Sequence, residues 1–314
     1  MKAVLNGQKV DRLPMIEWAE WWDKTTDRWK KQEPACPDGQ IPLFKYWGLD
    51  YHHHFWLSAS NGKDLVKDEN DFKEILHNLY TDQNIMKFRE WLLNLKVRHD
   101  KGEIVIWFTF EGFFWFPRTL FGIENHLYAF FDYPDLMHEM NKRLLEYYLK
   151  ALDVIYGVLS PEFMTFGEDM SYKHGPMISK DLYDEFIAPY YKEIVPLIKR
   201  NGTKVLVDTD GFVEPMISWF EESGIEGLLP LERQSDVDVK RIRENHPDLI
   251  MIGGYDKTVI HKGEEAMQAE FERLLPTMKL GRFIPSVDHQ TPPDVTIENY
   301  RTYVRLLNEY VQKL

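Results

Sequence analysis

Strand-sized apolar runs alternate with amphipathic helical stretches along the 314 residues of this chain, and the alternation predicts an α/β fold, a closed (β/α)8 TIM barrel. Two further observations point the same way. The runs are apolar almost throughout, as strands covered on both faces are. There are eight of them, and the length suits one barrel domain spanning 1–314. A doubly wound open sheet is the alternative, but no Gly-rich phosphate loop follows the first run.

The first two runs, RLPMIEW (12–18) and YHHHFWL (51–57), are the weakest. Neighbouring residues of a strand face opposite ways, so His52, His53 and His54 cannot grip one ion and read as packing or polar contacts. Residues 58–102 are polar and helical, an N-terminal helical extension or insertion after the second strand. EIVIWFTF (103–110) and FMTFG (163–167) follow as strands. In 179–200, Leu182, Phe186, Tyr190, Ile194 and Ile198 recur every four residues, with Ser179 as N-cap and Gly202 beyond the end. Pro189 and Pro196 must kink or divide that helix. KVLVD (204–208), IEGLLPL (225–231) and LIMIGG (249–254) are the next strands. A stripe of Met267, Phe271, Leu274, Leu275 and Met278 marks a helix over 264–280 that ends at Gly281. RFIPSV (282–287) is the last strand, and a final helix over 294–313 buries Tyr300, Val304, Leu307 and Val311.

Composition removes several functions. Net charge is −13, which excludes sequence-independent attraction to nucleic acid or anionic lipid. No run of 18 apolar residues offers a membrane span. The lone Cys36 allows no disulfide within the chain and no cysteine cluster. With no apolar leader segment at the N-terminus, a reducing cytoplasm is the expected setting.

In a barrel the residues just after each strand face the mouth. Those positions here hold Glu111, Glu168 with Asp169, Asp208 with Asp210, Glu232, Asp256 with Lys257, and Asp288 with His289. Helix capping accounts for one or two of these acids. The succession, with Lys and His among it, indicates a concave acidic site. Converging carboxylates need a cation or a shared proton. Glu168, Asp208, Asp210 and His289 are the expected ligands of zinc or another divalent metal; without metal, Glu168, Asp210 and His289 would handle protons. Asp256, Lys257, Glu232 and Tyr172 are expected to orient the substrate. Trp18, Trp22, Phe110 and Trp115 follow predicted strands and are expected to wall an apolar pocket for a flat or aromatic ligand.

The stretches GEDMSYKHGPMISKDLYDEFIAPYYKEIVPLIKRNG, VDTDG with GIEGLLPLE, GGYDK and DHQTPPDVTIENYRTY together resemble the uroporphyrinogen decarboxylase-like superfamily, from about residue 10 to the end. The resemblance implies a (β/α)8 barrel and either porphyrinogen decarboxylation or cobalamin-linked methyl transfer. True decarboxylases of the superfamily carry an Arg-Gln-Ala-Gly-Arg stretch after the first strand; IEWAEWWDK stands there, with Glu17 and Glu20 and no arginine. Thiol-activating methyltransferases carry His-x-Cys-Gly where this chain has Asp208-Thr209-Asp210-Gly211. What remains is the demethylating half-reaction: a corrinoid-dependent methyltransferase acting on a methylated small molecule, a methyl ether, aromatic ones included. The corrinoid would arrive on a separate partner protein, since no Asp-x-His-x-x-Gly signature is present. A homodimer is compatible with this reading. A decarboxylase (lyase) of a small organic acid or porphyrinogen-like substrate, with Lys257 or His289 as proton donor, is the alternative.

Overall fold

The computed structural model of the chain describes residues 1–62 and 65–314. Its strands are β1 (His52–Leu57), β2 (Val105–Glu111), β3 (Phe163–Gly167), β4 (Ser171–Tyr172), β5 (Gly175–Pro176), β6 (Lys204–Asp208), β7 (Gly227–Leu229), β8 (Ile250–Tyr255) and β9 (Phe283–Val287). With helices between them, they make an α/β fold. The described residues fall into two compact units: Met1–His52 with Asp210–Glu214 and Gly227–Leu314, and His53–Thr209 with Pro215–Glu226. The first holds both chain ends; the second holds the middle.

In the middle unit β2 pairs parallel with β3, and β3 with β6. The register sets Glu111 opposite Gly167 and Gly167 opposite Asp208, so the three strands end on one rung. β3 is buried along its whole length and β2 nearly so, as expected for strands covered on both faces. The polar stretch 58–102 is a pair of helices, Glu69–Ile75 and Asp82–Asp100. Helix 179–200 is divided: Lys180–Phe186 starts on Ser179, whose hydroxyl accepts from Leu182 N–H, and Ala188–Arg200 follows with Pro189 in its first turn. Ile187 separates them, because Pro189 disfavours helical geometry just ahead of itself.

In the terminal unit β7 pairs parallel with β8, and β8 with β9, Tyr255 standing opposite Val287. Gly253 has φ 108, and a Cβ there would run into the Pro230 carbonyl. Helices Glu264–Lys279 and Ile297–Tyr310 lie close to the expected bounds. The aromatic core joins the chain ends: Trp29 packs on Tyr300 with ring centroids 4.6 Å apart, and Trp21 packs edge-on against Tyr300 and Phe44.

One expected strand is missing. Residues 12–18 form no ladder. Pro14 has no N–H to donate, and the neighbouring groups are satisfied singly: Leu13 N–H by Val311 O, and Met15 N–H by the Asp50 carboxylate. Seven of the eight expected strands are present among the described residues, and the β4–β5 hairpin was not expected.

Candidate functional site

Parallel strands deliver all their carboxyl ends to one edge, so in the terminal unit the residues after β7, β8 and β9 converge. Lys257 Nζ lies 3.6 Å from Glu232 Oε1 and 3.9 Å from Asp288 Oδ1. Asp288 is fully buried, and its carboxylate accepts from Arg233 N–H (2.9 Å) and Lys257 N–H (3.3 Å). Burial pushes its carboxyl up to about 7, with the Lys257 charge and the two N–H donors pulling back. Glu232 Oε2 accepts from Gly211 N–H (3.2 Å) and the Ser235 hydroxyl (2.9 Å), which ties the 210–214 segment to the end of β7. On that segment Asp210 Oδ2 lies 3.8 Å from His289 Nε2. Gln290 N–H points at His289 Nδ1 (2.8 Å), so Nδ1 accepts and Nε2 carries the proton that faces Asp210. Trp18 meets His289 edge-on, centroids 6.1 Å apart, and donates its indole N–H to Val287 O at 2.8 Å. Trp18, Asp210, Glu232, Lys257 and His289 are therefore brought together as expected, with Asp288 as their buried anchor. The left-handed Leu231 (φ 64), just ahead of Glu232, is backbone strain retained at this rim.

Two other expected members of this unit sit differently. Asp256 Oδ1 accepts from Thr258 N–H and Oγ1 and from Gln234, which makes it the cap of the 3-10 turn Lys257–Lys262. Trp22 is exposed at the start of helix Asp23–Gln32.

In the middle unit Glu168 is fully buried. Its Oε1 accepts from Phe113 N–H (3.0 Å) and from the Tyr191 hydroxyl; its Oε2 accepts from Phe114 and Trp115 N–H (both 2.9 Å). The carboxylate thus closes the N-terminus of helix Trp115–Phe121, and burial raises its carboxyl to about 7. Gly112 makes this approach possible, since a Cβ there would overlap the carboxylate. Four donors occupy all four lone-pair positions. Among the described residues no three His, Cys, Asp or Glu are grouped to hold a metal ion. The expected set of Glu168, Asp208, Asp210 and His289 is therefore corrected: it does not fit a metal centre, and Glu168 has no lone pair left to give one.

Phe110 is also corrected. It is wholly buried and stacked on Tyr148 at 4.1 Å, part of the core and no pocket wall. Trp115 is half-buried under the Arg118 guanidinium, 4.9 Å from its ring. Tyr172 stands half-exposed on β4, edge-on to His174. Asp208 is half-buried at the end of β6, where its carbonyl accepts from Glu168 N–H. The three histidines point as their strand requires: His52 Nε2 to Glu17 O in the terminal unit, and His54 Nε2 to Thr109 Oγ1 in the middle one. Cys36 is buried, and burial pushes its thiol up, away from the reactive thiolate.

Sequence reasoning missed Tyr191 and Arg118, whose guanidinium holds the carbonyl of left-handed Asp169 (2.7 Å). Neither carries a local signal, for their partners lie 23 and 51 positions away.

The family model described as uroporphyrinogen decarboxylase (URO-D) matches residues 118–310. Among solved structures, a methyltransferase from Methanosarcina mazei is 14% identical, with 98% of this chain and 97% of that one covered and a TM-score of 0.67. At that identity the likeness shows the fold alone. A putative vitamin-B12 independent methionine synthase from Listeria monocytogenes is 12% identical over 98% and 97% of the two chains, with a TM-score of 0.49. No curated protein matches the sequence.

Proposed function

Because the chain belongs to the uroporphyrinogen decarboxylase family, we propose that it is a corrinoid-dependent methyltransferase that demethylates a small methyl ether, aromatic ethers included. The observation that carries this reading is the Asp210–His289 pair set beside Glu232, Lys257 and Asp288. When a methyl group leaves an ether oxygen, that oxygen becomes an alkoxide or phenoxide and must be met by a proton or positive charge. His289 Nε2–H, aligned by Asp210, supplies the proton. Lys257 supplies the charge, held in place by Glu232 and Asp288. A corrinoid on a separate protein would supply the nucleophile for the methyl carbon. Cys36 is the single cysteine and is buried, so activation of a thiol acceptor has no support in this chain. Family membership also supports closure of the strands into the (β/α)8 ring. Among the described residues no helix is long and apolar enough to cross a membrane, and we place the enzyme in the cytoplasm.

Incubating the protein with a reduced corrinoid and a panel of methoxyaromatics tests the reading. Methylcorrinoid should accumulate, and Asp210→Asn and His289→Gln should each lower kcat about a hundredfold while the melting temperature stays put. No methyl transfer from any ether would end it. Decarboxylation is the second reading, favoured by the family description and by Asp288, a buried carboxyl titrating about 7 beside Lys257. Release of carbon dioxide from a small organic acid, lost in Lys257→Met, would establish it instead.

A further inference from the structure

Glu17 lies in the segment that the sequence marks as a first strand and the structure leaves without a ladder. It is fully buried. Its Oε2 accepts from the Ser286 hydroxyl at 2.7 Å and from Val287 N–H at 3.2 Å; its Oε1 accepts from the Tyr300 hydroxyl at 3.3 Å. Trp18, one residue on, takes the other side of the same residue through its indole bond to Val287 O. In a paired strand the N–H and C=O of Val287 would meet a neighbouring backbone. Here a carboxylate and an indole meet them. Glu17 is itself held from behind, its carbonyl accepting from His52 Nε2 at 2.9 Å. The next two residues along β9 are Asp288, which anchors Lys257, and His289, which faces Asp210.

We propose that Glu17 is a positioning residue: with Trp18 it stands in for a missing strand and fixes where β9 delivers Asp288 and His289. The inference rests on reading that strand-end cluster as the active site, though its structural part stands apart from the chemistry. Distance alone forbids a catalytic part for Glu17, whose two oxygens are taken up by Ser286, Val287 and Tyr300. Burial raises its carboxyl to about 7, and the Ser286, Val287 and Tyr300 bonds offset part of that rise. The role therefore requires acceptor oxygens at this place, and no charge.

Proton NMR of the full-length protein, with the His289 ring signal assigned by its loss in His289→Gln, reads the geometry through the ring current of Trp18. Wild type and Glu17→Gln, which keeps an acceptor for Val287 N–H, should share the shifted signal. Glu17→Ala should move it to the position of an exposed histidine and lower kcat for methyl transfer about tenfold with KM little changed. A folded Glu17→Ala protein with an unmoved His289 signal overturns the proposal. Should that variant fail to fold, Ser286→Ala removes one of the three bonds and should shift the same signal part-way; an unmoved signal there overturns it equally. If no methyl transfer is found in any form, the functional reading falls, and the NMR signal still decides the role of Glu17.

Discussion

Glu168 was expected to do chemistry because it follows a strand, and strand ends are where barrel enzymes keep their acids. Its four partners show a structural cap instead. Three of them, the N–H groups of 113–115, lie more than fifty residues away, so nothing local to GEDM announces the bond. Glu168→Gln sets an amide N–H₂ against two backbone donors and should cost about 3 kcal/mol in urea unfolding. His289 and Lys257 were readable from strand-end position alone, because a short parallel strand fixes where its next residue goes. Glu17 makes a prediction of opposite sign to an ordinary paired carboxylate. Its carboxyl rises from 4.5 to about 7 on folding, so the stability it gives is full below the unfolded value and is lost as pH climbs through 7. The unfolding free energy should fall between pH 5 and 8. Glu17→Gln should flatten that fall by up to about 3 kcal/mol, read from denaturation curves at the two pH values.

At the scale of elements, periodicity located the helices and strands well and their buried faces less well. The stripe in 179–200 was read through Tyr190, while the structure buries Tyr183 and Tyr191. A four-residue step drifts around a 3.6-residue helix, and the break at Ile187 resets the phase. Ser179, in contrast, was legible, since a cap depends only on its own next three residues. Ser179→Ala should cost about 1 kcal/mol of stability, seen in thermal unfolding, with turnover unchanged. Gly112→Ala should do more than that, because the added methyl displaces the Glu168 carboxylate from its helix; loss of about 3 kcal/mol in the same assay is expected. The absent first strand shows the limit of pattern reading. An apolar run with Pro14 inside it looks like a strand until the side chains that replace its ladder are seen.

For the molecule as a whole, 51 acidic residues against 38 basic ones leave the chain repelling itself. Raising salt from about 0.01 M to 0.15 M shortens the reach of that repulsion, and the melting temperature at pH 8 should rise accordingly. The α/β class was legible because alternation of apolar runs and helical stretches spans the entire chain; the clustering of charged groups was only partly so, because it depends on which side chains are already committed to capping. The terminal unit is assembled from residues 1–52 and 227–314, with Trp21 and Trp29 packed on Tyr300. During synthesis, those tryptophans leave the ribosome long before Tyr300 exists. The newborn N-terminus must wait, its indoles uncovered, until the last helix is translated. A chain stopped short of that helix should bind chaperones and apolar dyes through its first fifty residues.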